Sequence, residues 1–380
     1  MKSTRKKYGL ILGALCIVAR ARGQAPDGPI NPQPGVVIQK APENIKVRTL
    51  LVNTPVTVTN QQGQMVHTLE RSNFQVTDNG VPQTITHFTL GGDPVSLVVV
   101  VETSERISPI LPQIRKTGIL ISQAVMGPTG EGAVIGYDDE VKVLQNFTSS
   151  SDAIEKTMSQ LKEGYDGAKL FDAMSKAVEL LSSRPEVSET ALGKRRVMLV
   201  IGEAHDKNSE DQLGEVLRRA QLANVTVYTV GISGFRSDLE KKPNPQPMPQ
   251  ATPDGIFGMP GPPGTVQTPT GPSTGSSATV SVNLLAAAAW AVTHVKDKIT
   301  SQQLAIASAA TGGQHVSTWK NESIENAIDE IGGELHAQYT LSYTPHGTDQ
   351  DGYHAIKVTV DRNNLTVRAR PGYYIEPPES

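Results

Sequence analysis

Three short segments gather the side chains best suited to binding chemistry. Glu102-Thr-Ser104-Glu-Arg106 follows the apolar run Val95 to Val101. Gly202-Glu203-Ala-His205-Asp206 follows a second apolar run, Arg196 to Ile201. Asp166-Gly-Ala168-Lys-Leu170-Phe-Asp172 opens a stretch of helical period. Ligands of an open α/β sheet sit beyond the carboxyl ends of its strands, at the point where strand order reverses, and the first two segments stand at such ends. A simpler reading makes Glu102 and Glu203 caps for the helices that follow, where negative charge is favoured, and leaves His205 and Asp206 in a solvated loop. Catalytic patterns are absent. Gly271-Pro-Ser273-Thr-Gly275 spells a hydrolase elbow, but no strand precedes it and no helix opens at the serine. There is no Walker A sequence and no Gly-x-Gly-x-x-Gly after a strand. Asp349-Gln-Asp351-Gly352, between His346 and His354, lacks the later acidic ligand of a calcium loop and reads as a hairpin turn.

The elements that must position these segments form two kinds of pattern. From Val95 to Val230, mostly apolar runs of four to seven residues alternate with helical periods: strands at Val95–Val101, Gly132–Ile135, Val141–Leu144, Arg196–Ile201 and Val225–Val230, and helices at Ile107–Val125, Ser151–Leu161, Leu170–Leu181 and Asp211–Ala223. Continuous apolar strands belong to a parallel sheet covered on both faces, and the alternation argues for βαβ units. A small-residue helix over Leu284–Ala310, a short strand at Gln314–Val316 and a helix over Ile324–Leu335 complete that region. The flanks are different. Thr49–Thr59, Phe74–Thr77 and Pro82–Leu90 before it, and Tyr339–Tyr343, Ala355–Val360 and Leu365–Ala369 after it, alternate in the manner of half-buried strands. Pairing the two flanks into one β-sandwich, with the α/β region inserted, is the economical arrangement.

Three motifs and both flanks carry a resemblance. The strand ending in Glu102-Thr-Ser104-Glu-Arg106, the segment Gly167-Ala-Lys-Leu-Phe-Asp172-Ala, and the strand Val197-Met-Leu-Val-Ile-Gly-Glu203 resemble the corresponding parts of the von Willebrand factor type A (VWFA) domain. Phe74-Gln-Val-Thr-Asp-Asn-Gly80 and Val367-Arg-Ala-Arg-Pro-Gly-Tyr-Tyr374 resemble the flanks of a bacterial group of secreted VWFA-related proteins. The resemblance spans about residues 45–375. It implies an α/β, Rossmann-like, doubly wound and mostly parallel sheet set in a small β-sandwich. Together with the residue patterns, it gives these boundaries: a signal peptide at 1–23, a flexible leader at 24–44, the sandwich's first half at 45–92, the VWFA-like domain at 93–337 with a Pro/Gly-rich insertion at 240–282, and the sandwich's second half at 338–376. The family holds a divalent cation with an Asp and two hydroxyls of the first motif, a Thr of the second and an Asp of the third. Here Glu102, Arg106, Ala168 and Glu203 replace four of those five groups and only Ser104 is kept. Magnesium wants near-octahedral oxygen geometry, so Mg2+ or Mn2+ is disfavoured and no cofactor is expected. Any metal would fall to Glu102, Ser104 and Glu203. The expectation is that Arg106 takes the metal's place by pairing with Glu102 or Glu203. Glu102, Ser104, Arg106, Ala168, Glu203 and Asp206 then mark a rim that meets a partner protein.

Composition narrows the setting. The 380 residues carry a formal charge of −3 and a single cysteine, which excludes a disulfide framework and a basic field for nucleic acid. A basic run (Lys2, Arg5, Lys6, Lys7), the apolar Tyr8–Ala19 and the small residues after it form the pattern of a secretory signal. Its removal would take six basic residues, no acidic ones and Cys16, shifting the charge to about −9. Leu15 before Cys16 argues against lipid anchoring. Ten of the 26 prolines lie in residues 243–272, a surface-loop composition. The expected protein is exported, secreted or periplasmic, non-enzymatic, without a membrane span in its mature form, and bound to a cell-envelope or extracellular protein. The alternative is an envelope scaffold whose Pro-rich loop or sandwich makes the contacts.

Overall fold

A computed structural model describes residues 51–185, 194–232, 277–294, 302–318, 323–347 and 351–375. The signal-like segment, the leader, the Gly271–Gly275 motif and most of the Pro-rich stretch lie outside these residues.

The central layer is a six-stranded sheet. Its strands are β5 (Val95–Glu102), β6 (Glu131–Tyr137), β7 (Val141–Thr148), β8 (Arg195–Gly202), β9 (Val225–Gly231) and β10 (His315–Ser317), in the order β10-β9-β8-β5-β6-β7. All pairs are parallel except β6–β7. β5, β6 and β9 are buried at every position, as their unbroken apolar runs require of strands covered on both faces. One face packs on helices α2 (Leu170–Ser182), α3 (Leu213–Leu222), α4 (Ser277–Thr293) and α5 (Gln303–Thr311); the other packs on α1 (Ser151–Ser159), α6 (Ile324–Ala337) and the segment 107–126. From β5 the chain goes to β6 on one side and later to β8 on the other. The switch point therefore lies between the carboxyl ends of β5 and β8.

Two of the expected helices differ. Ile107–Val125 is not one helix but a chain of short turns, ending in the π-helical Ile121–Met126. Pro109 and Pro112 remove donors at its start. Its Gly118 lies so close to α1 that an added Cβ would sit 2.9 Å from Glu155 Cα. The small-residue stretch forms two helices, α4 and α5, with α4 beginning at Ser277, inside the segment expected to be insertion.

The flanks build two antiparallel sheets: β13-β1-β11-β4 and β14-β12-β2-β3. The strands are β1 (Val52–Thr59), β2 (Phe74–Asp78), β3 (Val81–Gln83) and β4 (His87–Leu90) from the first flank, and β11 (Tyr339–Tyr343), β12 (Gly352–Val360), β13 (Thr366–Ala369) and β14 (Gly372–Ile375) from the second. Each sheet mixes strands of both flanks. Val52, Val56, Phe74, Val76, Tyr339, Leu341 and Ile356 fill the core between them. Pro82–Leu90, expected as one strand, divides into β3 and β4 in different sheets, so the chain crosses the sandwich there.

The basic cluster Lys194-Arg-Arg196, a composition that suits a solvated charge run, joins the sheet to its surroundings. Arg195 donates to Leu335 O (2.9 Å) and Gln338 Oε1 (2.6 Å), and Arg196 to Ala223 O (2.8 Å). Gln338, wholly buried, donates to Thr57 Oγ1 (3.1 Å) and accepts from the Tyr228 hydroxyl (3.1 Å).

Candidate functional site

The site sits at the switch point. Glu102 is the last residue of β5 and is wholly buried. Its Oε1 accepts the Ser104 hydroxyl at 2.5 Å and its Oε2 accepts the Glu203 backbone N–H at 2.6 Å. The Tyr137 phenol, from the end of β6, lies alongside. Gly202 makes this crowding feasible. A Cβ there would fall 2.4 Å from the Tyr137 hydroxyl oxygen and 2.8 Å from Glu102 Oε2, so any side chain would displace the carboxyl. Burial raises the Glu102 pKa to about 7, against the lowering pull of its two hydrogen bonds, and the nearby Glu203 charge adds to the rise. Burial, joined by the neighbouring carboxylates, likewise pushes the Tyr137 phenol well up.

Arg106 closes the site toward solvent. Its Nε lies 2.8 Å and its Nη2 2.7 Å from Glu203 Oε2. The Arg106 side chain is 38% exposed and that of Glu203 only 8%, so the pair joins the buried carboxyl to the surface. Partial burial works against the guanidinium charge, but Glu203 outweighs it and Arg106 is held more firmly protonated. Of the two partners the sequence allowed for Arg106, the structure selects Glu203. Neither Glu102 nor Glu203 caps a helix.

The remaining predicted residues serve the frame. Ala168 is buried, and its carbonyl accepts Lys207 N at 2.8 Å. Asp206 is not a loosely solvated group. Its Oδ1 accepts the Phe171 N–H (3.2 Å) and the Ser209 hydroxyl (2.6 Å), and Ser209 Oγ accepts the N–H groups of Phe171 and Asp172. Together they satisfy the open N-terminus of α2, which Lys169 does not cap with its side chain. Asp172 returns the contact by accepting Glu210 N and Asp211 N at 2.9 and 3.0 Å. Thus Arg106 is the most exposed member of the six, Asp206 is half-buried, and Glu102, Ser104, Ala168 and Glu203 lie beneath.

The oxygens of this donor set are largely engaged within the protein. Both Glu102 oxygens already accept hydrogen bonds, Ala168 has no side-chain oxygen, one Asp206 oxygen serves α2, and a guanidinium stands against Glu203. Among the described residues no group of three or more His, Cys, Asp or Glu is placed to hold a metal, and no helix is long and apolar enough to cross a membrane.

Tyr137 carries no signal in the apolar run, which stops at Ile135, whereas β6 continues to Tyr137. A continued two-residue alternation through Gly136 would have brought its end level with Glu102, its register partner.

The family profile of the von Willebrand factor type A domain matches residues 96–246. No curated protein matches the chain. Among solved structures, BatB from Bacteroides thetaiotaomicron is 14% identical, with 63% of this chain and 98% of that one covered, at a TM-score of 0.36. An aerotolerance-related membrane protein from Bacteroides fragilis is 12% identical, covering 63% and 99%, at 0.35. The vWF domain of the type V pili tip protein Mfa5 from Porphyromonas gingivalis is 13% identical at 0.26, over 31% of this chain and 40% of that one. β5, but for its first residue, to β9 fall inside the matched range, and β10 and α6 complete the same layered sheet beyond it. The chain contains a von Willebrand factor type A domain.

Proposed function

We propose that this is an exported, non-enzymatic protein-binding module whose VWFA rim works without a divalent ion. The carrying observation is the Arg106–Glu203 pair standing over the buried Glu102 at the switch point of the sheet. A fixed guanidinium presents N–H donors and positive charge where a cation would otherwise be held, and Arg suits planar recognition of carboxylates. The partner is a cell-envelope or extracellular protein that contacts Arg106 and the loops around it. Ser104, Ala168 and Asp206 act by holding those loops.

The test is a pulldown from an envelope extract with the full exported chain. Wild type captures a partner in the presence of EDTA, and Arg106→Ala with Glu203→Ala loses it. If the double variant keeps every wild-type partner, the rim is not the binding face. The contacts would then belong to the sandwich or the Pro-rich stretch.

A further inference from the structure

Five large apolar side chains are well exposed among the described residues: Leu90, Ile119, Val143, Leu144 and Tyr165. Three of them gather at one corner of the sheet. Leu144 (41% exposed) and Tyr165 (68% exposed) line a cleft of about 630 Å³, and Val143 lies beside Leu144 on the same strand. That strand, β7, ends the sheet and pairs with no further strand among the described residues. The cleft lies between β7, the end of α1 and the segment 160–165, with Gly136 and Thr103 also lining it. It is stitched to the rim. Gly164 N–H donates to Thr103 O at 2.7 Å, and Glu105 N–H to Tyr165 O at 3.3 Å.

The lining of the cleft is balanced, with Asp138 and Glu163 against Lys142 and Lys162, and the acidic excess lies around its mouth. Glu105, Asp139, Glu140, Glu163 and Asp166 are all exposed there. The opposing cations are largely engaged. Lys142 pairs with Glu140 and Lys207 with Asp166, each at 2.9 Å, and Arg106 is held by Glu203. Lys162 alone of this group has no carboxylate partner among the described residues. A cleft with apolar walls at Leu144, Leu161 and Tyr165, beside an open strand edge and with Glu105, Asp139 and Glu163 left against the single Lys162, fits an extended chain that adds to the edge and carries positive charge.

We propose that this cleft docks an extended partner segment in which an apolar or aromatic side chain is flanked by lysine or arginine. The apolar side chain seats against Leu144 and Tyr165, the basic ones face Glu105, Asp139 and Glu163, and the backbone runs along β7. The proposal rests on the reading of this end of the sheet as the binding face, but on side chains other than the Arg106 pair.

Fluorescence anisotropy with the full exported chain tests it, using two labelled synthetic peptides of about twelve residues. They share the same leucine, tryptophan and serine content, and one carries four lysines where the other carries four glutamates. The lysine peptide should bind at least about tenfold more tightly, and should weaken steeply as salt rises. Tyr165→Ala with Leu144→Ser, both surface changes, should cost about tenfold, as should Glu105→Lys with Asp139→Lys. Arg106→Ala should leave the peptide affinity within about twofold. Equal affinity for both peptides, binding of neither, or indifference to the cleft variants overturns the proposal. A peptide lost only with Arg106→Ala overturns the cleft and supports the rim. A peptide that still binds while the pulldown partners survive Arg106→Ala with Glu203→Ala overturns the rim and leaves the cleft standing.

Discussion

Two wholly buried carboxyl groups organise this molecule, and they are built to opposite plans. In the sandwich, Asp78 Oδ2 accepts the hydroxyls of Tyr373 (2.6 Å) and Tyr343 (3.1 Å), while Oδ1 lies 2.9 Å from His354 Nδ1. All four residues are buried, and His354 stacks on Tyr373 at 4.9 Å. Asp78 comes from the first flank and its three partners from the second. At the rim, Glu102 takes one hydroxyl and one backbone N–H, and its neighbour Glu203 leads out to the half-exposed Arg106. The first network is closed and holds together strands more than 260 residues apart in sequence. The second is open at one end. A closed polar network specifies a unique packing, whereas an open one keeps charge within reach of a partner.

The comparison breaks most visibly at Asp78. Asp78→Ala leaves two phenols and an imidazole in the core without their shared acceptor. Removing one partner from such a buried network costs about 3–5 kcal/mol. Chemical denaturation should record a loss of that order, and Asp78→Asn, which keeps one acceptor oxygen, a smaller one. A loss below about 1 kcal/mol would show that the flanks do not depend on this group.

Glu102 should instead write itself into the pH dependence. Its pKa is about 7 in the folded chain against 4.5 for an ordinary glutamate. Between those values the unfolded chain has released its proton and the folded chain has not. Stability from this group is therefore full below about pH 4.5, falls as pH rises, and levels off above about 7. The whole drop amounts to roughly 3 kcal/mol. Glu102→Gln keeps the shape and an acceptor for the Glu203 N–H, so its melting temperature should vary less between pH 5 and about 8. An identical pH profile in wild type and variant would sink this assignment.

The Arg106–Glu203 pair comes next in size. Arg106 is more than a third exposed, so solvent screens it. A double-mutant cycle with Arg106→Ala and Glu203→Ala should give a coupling of about 1 kcal/mol. Coupling of about 3 kcal/mol would place the pair with Asp78, as a structural element and not a surface feature.

How far each region was legible from sequence follows from how local its determinants are. β5, β8 and β9 announced themselves because burial on both faces leaves an unbroken apolar run. The pairing of Arg106 with a carboxylate was legible because the strand ends of a parallel sheet converge. Asp206 was misread as loop, since the N-terminus it satisfies belongs to a helix that starts 36 residues earlier in the chain. The role of Lys194-Arg-Arg196 is not legible in the sequence, because guanidinium groups can be consumed by backbone carbonyls, which leave no mark there. The Asp78–His354 contact spans 276 residues. Its only local trace is alternation: His354 shares a face of β12 with the buried Ile356, and a histidine on that face must find a polar partner inside.

The smallest expected effect is the sharpest test of the rim. A metal that binds only the folded chain raises its stability by RT ln(1 + [L]/Kd), about 2.7 kcal/mol at a hundredfold excess over Kd. A functional cation site would thus respond to millimolar Mg2+ or Mn2+ with a rise in melting temperature of several degrees. Here the positive charge is covalently part of Arg106 and already faces Glu203. The wild-type melting temperature should therefore be the same with either metal as with EDTA. A clear rise that Glu203→Ala abolishes would show that the guanidinium yields to an ion, and would return the rim to metal-dependent binding. Arg106→Ser separates the remaining possibilities. It removes the competing cation and supplies a hydroxyl beside Glu102 and Glu203. A metal response in that variant alone would mean that Arg106, and not the longer carboxylates, is what keeps the ion out.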